Sequence, residues 1–218
     1  MLERCPLPPR PAILEVGCGT GKLLREAARQ AGAGAAVGVD PEPAMRAQAT
    51  GLDVREGRAE RLPLDSGCCD LAFCSLAFHW VSDKPAAAGE LWRVLRPGGW
   101  AAIWTLTPEH VHGFHLNRYF PSLPAVDLAR FEAPELWMAQ LAAAGLRPVL
   151  EQQLVQTRVT SGGRLAAAVR QRFISTLSLL PEAEFQAGAA ELEAEAAGDP
   201  GRRVSYPQTW CLIWAARQ

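Results

Sequence analysis

Short apolar runs alternate along this chain with longer stretches whose apolar residues recur at helical spacing. The runs predict buried strands at residues 11–17, 35–40, 52–57, 70–78 and 100–106, and the periodic stretches predict helices at residues 22–31, 41–48 and 84–95. Met45 is expected to face inward from the second helix, and RPGG, residues 96–99, to form the turn that ends the third. Strands alternating with helices indicate a parallel sheet that binds ligands at the carboxyl ends of its strands.

The second half of the chain continues the alternation and then becomes more helical. Its predicted elements are a helix at 135–144, a strand at 146–156, helical segments around 164–180 and 181–197, and a last strand at 206–218. We interpret residues 157–205 as a small helical cap inserted into a single domain of residues 1–218. The predicted fold class is therefore α/β, a doubly wound and mostly parallel seven-stranded sheet with this cap.

Composition restricts the possible functions. The 218 residues, 49% hydrophobic content and formal net charge of −1 are typical of one sizeable globular domain, and the near-neutral charge disfavours nucleic acid as a partner. No apolar run has the roughly 18–20 residues of a membrane helix, and MLERCPLPPRP at the N-terminus lacks the apolar region of a secretory signal. The six cysteines follow no zinc spacing. We therefore expect a cytoplasmic monomer or homodimer with reduced thiols and no metal.

The segment ILEVGCGTGKL, residues 13–23, places glycines at every second position directly after the first predicted strand. Glycine has no Cβ and tolerates positive φ, so a ligand can touch bare backbone there, at the N-terminus of the next helix. A dinucleotide-binding loop follows G-x-G-x-x-G/A. Here Gly21 comes one position early and Lys22 stands where that pattern has glycine or alanine, which disfavours a dehydrogenase. A Walker loop is excluded because GxxxxGK[ST] is absent.

Asp40 ends the second predicted strand in VGVD and has two interpretations. Its carboxylate can accept hydrogen bonds from both hydroxyls of a ribose bound beside the glycine loop. Alternatively, it caps the helix that begins in PEPAM, because Asp before Pro is a common helix start. The glycine loop on the neighbouring strand favours the ribose.

Together these segments resemble the class I S-adenosylmethionine-dependent methyltransferases, in the branch that acts on small molecules. ILEVGCGTG is similar to the family's first motif and VGVDPEPAM to its second. GRAERLPLDSGCCDLAFCSLAFHWV is similar to the adenine segment and fourth strand, and LWRVLRPGGWAAIW to the helix, turn and fifth strand. The resemblance is close over residues 11–106 and looser in ARFEAPELWMAQLAAAGLRPV and the cap. It implies S-adenosylmethionine as cofactor.

The resemblance also implies roles for individual residues. The implied cofactor-binding residues are Glu15, Gly17, Cys18, Gly19, Gly21, Asp40, Pro41, Met45, Arg58, Ala59, Glu60 and Ser75. Among them, Glu15 would serve the amino-acid end, Asp40 the ribose, and Pro41 with Met45 the adenine. Arg58 departs from the family, which often has Asp or Asn there to contact the adenine amino group. Arginine cannot accept from an amino group, so Arg58 either stacks on the ring or points to solvent.

His79, in SLAFHWV, is the candidate general base, because it follows the fourth predicted strand and histidine titrates near neutral pH. The alternative is a structural His79–Trp80 pair, with Ser82 as the N-cap of the next helix. Candidate substrate residues are Trp80, His112, His115, Tyr119 and Arg172. We expect the stretch that holds His110, His112 and His115 to be a loop without the fixed structure that would order a metal site.

The predicted reaction is methyl transfer from S-adenosylmethionine to a small molecule by in-line displacement. The alternatives are a methyltransferase that acts on tRNA or protein and a catalytically inactive cofactor-binding protein. The chain begins about ten residues before its first strand, so we expect that residues 157–205, rather than N-terminal helices, cover the site or that the site stays open.

Overall fold

The computed structural model describes residues 5–199 and 201–218, with the side chains of Leu150 and Glu151 left out. Within this part, seven strands form one sheet in the order β3-β2-β1-β4-β5-β7-β6. The strands are β1 Ala12–Val16, β2 Ala35–Asp40, β3 Asp53–Glu56, β4 Cys69–Ser75, β5 Leu95–Leu106, β6 Leu146–Ser161 and β7 Arg203–Arg217. The pairs β1–β2, β1–β4, β2–β3 and β4–β5 are parallel. The predicted fold class is confirmed.

The helices lie between these strands. They are α1 Lys22–Ala31, α2 Pro43–Arg46, α3 Lys84–Val94, α4 Pro108–His112, α5 Leu123–Leu128, α6 Pro134–Ala143, α7 Gly162–Arg170 and α8 Glu182–Gly198. Short 3₁₀ turns occur at Phe78–Trp80, His115–Arg118 and Ser175–Ser178. None of the described helices has the length and apolar composition needed to cross a membrane.

The chain divides into two compact units. The sheet unit comprises the residues up to Thr105, Ala133–Gln152 and Cys211–Gln218, and the helical unit comprises Leu106–Glu132 and Gln153–Trp210. The predicted cap overlaps the helical unit, but strands β6 and β7 occupy its two ends. Pro200, inside that cap, and residues 1–4 of the predicted domain lie outside the described residues.

Two apolar clusters form the core of the sheet unit, because successive strand residues point to opposite faces. Leu14 of β1 and Ala72 of β4, which are register partners, belong to one cluster. Ile13 and Leu71, the preceding register pair, belong to the other. Both faces of β1 and β4 are thus buried, as expected for continuously apolar central strands.

The helical unit has its own core, built around Phe120, Leu177 and Phe185. Gly188 of α8 lets this core pack closely, because a Cβ there would overlap the carbonyl oxygen of Tyr119. The helical unit therefore has a closely packed apolar cluster of its own.

Several local predictions were wrong. RPGG belongs to β5 instead of ending α3, and the irregularity appears as a register shift against β4 with Gly98 at φ +81°. Asp83, not Ser82, is the N-cap of α3, and its side chain accepts from the backbone N–H of Ala86 at 3.0 Å. Met45 is 42% exposed, because α2 is a single short turn without a buried residue.

Candidate active site

The loop between β1 and α1 presents bare backbone. Gly17, Gly19 and Gly21 all adopt left-handed conformations, with φ of +71°, +54° and +73°. A Cβ on Gly17 would overlap the Cβ of Ala77, whereas a Cβ on Gly19 would meet no atom within 4 Å. Gly17 must therefore be glycine for the loop to pack on Ala77, and Gly19 faces space that a ligand can enter.

Hydrogen bonds hold this loop against the end of β2. The backbone N–H groups of Gly17 and Cys18 donate to the carbonyl oxygen of Val39 at 2.7 and 3.2 Å. Gly21 is the N-cap of α1 and has no side chain to cap it, and the first turn contains no acidic residue, but the Glu15 carboxyl accepts from the backbone N–H of Leu24 in that turn. The helix dipole there favours a negatively charged or electron-rich ligand group.

Asp40, at the end of β2, joins the loop to the turn before α2. Its Oδ2 accepts from the backbone N–H of Gly19 at 2.7 Å, and its Oδ1 accepts from that of Glu42 at 2.9 Å. The N-cap of α2 is Glu42 and not Asp40, so the interpretation of Asp40 as the cap of that helix is wrong. A carboxylate has about four acceptor positions, so two remain for ligand hydroxyls.

Glu15 lies on β1 beneath the loop and is 2% exposed. Burial raises the pKa of its carboxyl to about 8, a hydrogen bond from the backbone N–H of Leu24 opposes this, and the negative charge of Asp40 adds to it. Among the described residues, Oε2 of Glu15 finds no hydrogen-bond partner. A buried polar atom without a partner is costly, so a cationic group or a water placed here would stabilise the site.

The segment after β3 contains Arg58, Ala59 and Glu60, which differ in exposure and in their contacts. Ala59 is buried, while Arg58 is exposed and lines, with Pro41, an open cleft of about 760 Å³. The Glu60 carboxylate accepts from the backbone N–H and hydroxyl of Ser82, both at 2.9 Å. Burial acts to raise the pKa of Glu60, but these and other hydrogen bonds together lower it. The side chain of Glu60 therefore positions the residues before α3.

A strained backbone follows Ser75, the last residue of β4. Leu76 has φ +52°, a conformation that residues other than glycine rarely adopt, and its N–H donates to the carbonyl oxygen of Trp104 at 2.9 Å. This turn places Ala77 against Gly17. Strain of this kind persists only where the surrounding structure enforces it, and it is often found at functional sites.

His79 lies in the 3₁₀ turn that follows. Phe78 anchors this turn by packing edge-to-face on Trp137 at 5.0 Å between ring centroids. His79 is half-buried, with its ring centroid 5.2 Å from that of Trp80, which is 51% exposed. The turn thus holds His79 on a rigid support, and its role as a base stays a prediction.

The remaining histidines belong to the helical unit. His110 and His112 are in α4 and His115 is in a 3₁₀ turn, so the prediction of an irregular loop was wrong. His110 is buried, and its Nδ1 accepts from the backbone N–H of Thr209 at 3.0 Å. His112 is exposed. Among the described residues, no group of three or more His, Cys, Asp or Glu side chains could hold a metal ion.

Two other candidate substrate residues make contacts within the helical unit. The Tyr119 hydroxyl donates to Oε2 of Glu195 at 2.8 Å. The guanidinium of Arg172 donates to the Leu177 carbonyl oxygen and to Glu182, and it stacks over the ring of Phe185 at 3.6 Å. These contacts all lie inside the helical unit, and nothing in them supports substrate binding by Arg172.

Comparison with known proteins places this arrangement in a family. The model of a methyltransferase domain matches residues 14–103. Malonyl-[acyl-carrier protein] O-methyltransferase from Pectobacterium atrosepticum is 40% identical over 98 residues, which are 43% of this chain and 38% of that protein. Demethylmenaquinone methyltransferase from Thermus thermophilus is 31% identical over 160 residues, which are 61% of this chain and 73% of that protein. The chain belongs to the class I S-adenosylmethionine-dependent methyltransferases.

One solved structure covers the whole of this chain. The YcgJ protein from Bacillus subtilis matches with a TM-score of 0.68 and 19% identity, covering 100% of this chain and 96% of that one. The match shows a shared fold. The chain covers less than half the length of the first curated relatives, 38%, 27% and 43%.

Two features of the candidate site were missed from the sequence. Leu76 and Ala77 shape the glycine loop from β4, but neither residue type signals a left-handed turn or a close approach to glycine. Glu15 was predicted as a cofactor-binding residue, but the missing partner of its Oε2 was not, although a lone acid within an apolar strand was its signal.

Proposed function

We propose that this chain transfers the methyl group of S-adenosylmethionine to a small-molecule acceptor. One observation carries the proposal: open backbone at Gly19, two spare acceptor positions on Asp40 and an orphaned oxygen on Glu15 all belong to the strand ends around one loop. A cofactor that carries two ribose hydroxyls and, on its amino-acid part, an ammonium and a carboxylate matches this set of groups.

Each part of the site has a role in this proposal. Asp40 accepts from the ribose hydroxyls, and Glu15 pairs with the ammonium, directly or through water. The loop backbone, with Cys18, contacts the methionine and ribose, while Ser75 belongs to the same site at the end of β4. Pro41, Met45, Arg58 and Ala59 serve the adenine side.

The bound cofactor supplies a methyl group on a positively charged sulfur. The protein positions the acceptor in line with that methyl group and keeps water away. His79 takes the proton when the acceptor atom carries one. The packing of Phe78 fixes the half-buried turn and so keeps His79 in position for this step. A small-molecule acceptor is supported by the formal net charge of −1, which offers little attraction for nucleic acid.

Calorimetry with S-adenosylmethionine and S-adenosylhomocysteine tests the cofactor site. Asp40→Asn should weaken both ligands roughly 10- to 150-fold, because hydrogen bonds to a charged acceptor contribute about 1.5–3 kcal/mol. Asp53→Asn is the matched control, since Asp53 is an exposed carboxylate paired with Arg55 on β3. Unchanged affinity in a folded Asp40→Asn variant would contradict the ribose assignment.

Transfer of tritiated methyl groups separates the remaining alternatives. Label in small organic products supports the proposal, whereas label in tRNA or protein supports a macromolecular acceptor. Tight cofactor binding with no transfer to any acceptor class supports an inactive binding protein. His79→Gln should lower transfer while cofactor affinity is retained if His79 is the base.

A further inference from the structure

The open cleft beside the segment after β3 is rich in arginine. Its volume is about 760 Å³, and Arg55, Arg58 and Arg61 all contribute to its lining. Pro41 and Pro63 add exposed apolar surface to the same lining. All five residues belong to the sheet unit. Sites for small molecules usually have volumes of roughly 300–1,000 Å³, so the cleft has room for one.

Arg58 and Arg61 lie opposite each other in a tight turn. They are partners in an isolated antiparallel β-bridge, and the backbone N–H of Arg61 donates to the carbonyl oxygen of Arg58 at 3.1 Å. Residues directly opposite in such a pairing point to the same face, with Cβ atoms about 4.5–5.5 Å apart. Both arginines are exposed and both line the cleft. The turn therefore holds two positive charges side by side at one accessible surface.

Most of the other charged residues in the lining are already paired. Arg55 lies 2.9 Å from the carboxylate of Asp53, and Glu56 lies 3.0 Å from the guanidinium of Arg46. Arg55 also donates to the carbonyl oxygen of Pro63 at 3.1 Å. Within the described part of the chain, Asp65 is the one acid of the lining without an ion pair. It offsets only one of the two charges on the facing arginines.

The guanidinium groups of Arg58 and Arg61 lack partners of their own. Among the described residues, neither group makes an ion pair or a hydrogen bond. Glu90, the acid on α3 that is closest in its influence to Arg61, is bound instead by Arg93 at 2.6 Å. Like charges directly opposite each other destabilise a strand pair. An anion between the two groups would remove this repulsion, and each guanidinium has five N–H donors to offer it.

We propose that the Arg58–Arg61 pair binds the phosphate group of a small organic phosphate, whose carbon part lies along Pro41 and Pro63. A phosphate monoester carries a charge of about −1.5 to −2 at neutral pH, which matches two guanidinium groups better than the single charge of a carboxylate does. The planar fork of each guanidinium fits two phosphate oxygens at once.

The phosphate site is separate from the cofactor site and does not rest on the proposed methyl transfer. The proposed function uses Arg58 on the adenine side. A guanidinium can stack its flat face on a ring while its edge binds an oxyanion, so one side chain can serve both sites. Arg61 has no role in the cofactor site and is therefore the residue to vary.

Four probes in phosphate-free buffer test the chemistry. Phenyl phosphate has the ring and the dianion, benzoate has the ring with one negative charge, phenol has the ring without charge, and inorganic phosphate has no ring. Backbone amide signals of ¹⁵N-labelled protein report binding at residues 55–65. Phenyl phosphate should shift the signals of Arg58 and Arg61 saturably. Inorganic phosphate and benzoate should bind at least about tenfold more weakly, and phenol should shift neither signal.

Three variants locate the binding. Arg61→Gln should weaken phenyl phosphate at least about tenfold. Arg61→Lys keeps the charge but loses the fork, so it should restore only part of the affinity. Arg164→Gln is the matched control, because Arg164 is an exposed arginine of the helical unit, and it should leave the affinity unchanged. Arg61→Gln removes a like-charge contact, so it should melt at the same or a higher temperature, which confirms that the variant is folded.

Four results would overturn the proposal. One is the absence of a saturable shift with phenyl phosphate, and another is unchanged affinity for it in Arg61→Gln. The third is equal affinity for phenyl phosphate and inorganic phosphate, since it would identify a free phosphate ion as the ligand. The fourth is loss of phenyl phosphate binding at saturating S-adenosylhomocysteine, because the probe would then occupy the cofactor site. The first three need no cofactor, so failure here is distinct from failure of the proposed function.

Discussion

The glycine loop of the sheet unit is formed by backbone, whereas a small cavity of the helical unit, about 90 Å³ in volume and lined by Tyr119, Leu165 and Glu195 among others, is formed by side chains. In the sheet unit, the glycine loop is made of backbone, and its shape depends on three left-handed glycines within five residues. In the helical unit, the cavity is made of side chains, and the hydrogen bond from Tyr119 to Glu195 joins positions 76 residues apart. The glycine loop is fixed by local conformation, whereas the cavity exists only after the helices have packed.

This difference has a physical consequence. A backbone site tolerates change in most neighbouring side chains but fails when a single glycine acquires a Cβ. A side-chain site can be reshaped by substitution at any of its lining positions while the backbone stays in place. We therefore expect the glycine loop to tolerate few substitutions at its glycines, and the cavity lining of the helical unit to tolerate many.

The largest expected effect comes from the glycine loop. Gly17→Val should destabilise the fold by about 2–6 kcal/mol, since it adds left-handed strain to a clash with Ala77. Gly19→Val should cost only the strain, about 1–3 kcal/mol, because its Cβ faces open space, yet it should abolish cofactor binding. Urea unfolding and calorimetry measure the two quantities. Equal destabilisation by both variants would contradict the packing of Gly17 on Ala77.

The next effect concerns Glu15, whose pKa of about 8 in the folded protein lies above its ordinary value of 4.5. The folded state therefore binds more protons than the unfolded state, and this group's contribution to stability is lost as pH rises from about 4.5 to 8. Glu15→Gln should remove the loss, so the variant gains on the wild type by up to about 1.4 kcal/mol per pH unit across that window.

Urea unfolding at several pH values checks the Glu15 prediction. Asp53→Asn, at an exposed carboxylate, is the control and should follow the wild-type curve. A difference between Glu15→Gln and wild type that stays constant from pH 4.5 to 8 would show that the carboxyl of Glu15 titrates normally.

Sequence patterns predicted the sheet unit well because its determinants are local. The glycine spacing and the acid that ends β2 are read from a few adjacent residues, and both lie where the motifs indicate. Small errors arose where tertiary contacts decide, as when Glu60 binds Ser82 and leaves Asp83 to cap α3. Propensity alone cannot rank two adjacent capping residues.

The cavity could not be predicted, for the opposite reason. His115, Glu195 and Tyr206 are ordinary residue types in segments without a motif, and only helix packing brings their part of the chain together. The helices α4 and α5 were missed because they are short and rely on burial of Val111 and Leu123 rather than on a long periodic pattern.

A smaller effect is expected inside the helical unit. Thr176 is buried, donates to Oδ1 of Asp127 at 2.7 Å and accepts from Arg130 at 2.7 Å. Thr176→Val keeps the shape but removes both bonds, which should cost about 1–3 kcal/mol. Hydrogen exchange should accelerate in Leu106–Glu132 and Gln153–Trp210 and remain unchanged elsewhere. Uniform acceleration through the chain would mean that the two units unfold as one.

The smallest effect is expected for an exposed ion pair, and it serves as the reference for the other variants. Glu26 and Arg29 form an exposed ion pair on α1, with side chains 47% and 71% exposed. Arg29→Ala should leave the melting temperature and cofactor affinity unchanged within error, because water screens such pairs. A clear loss of cofactor affinity in this variant would show that the outer face of α1 contributes to the site.

The packing of Gly17 against Ala77 also constrains how this protein can change over evolutionary time. The two positions belong to different strand ends, yet a larger residue at either one requires room from the other. Reducing Ala77 to glycine first would open that room, whereas enlarging Gly17 first would pass through an unstable intermediate. Because Gly17 must also keep its positive φ, even the permitted order reaches few residues. Mutational order, and not only mutational identity, therefore limits the routes by which this loop can diverge.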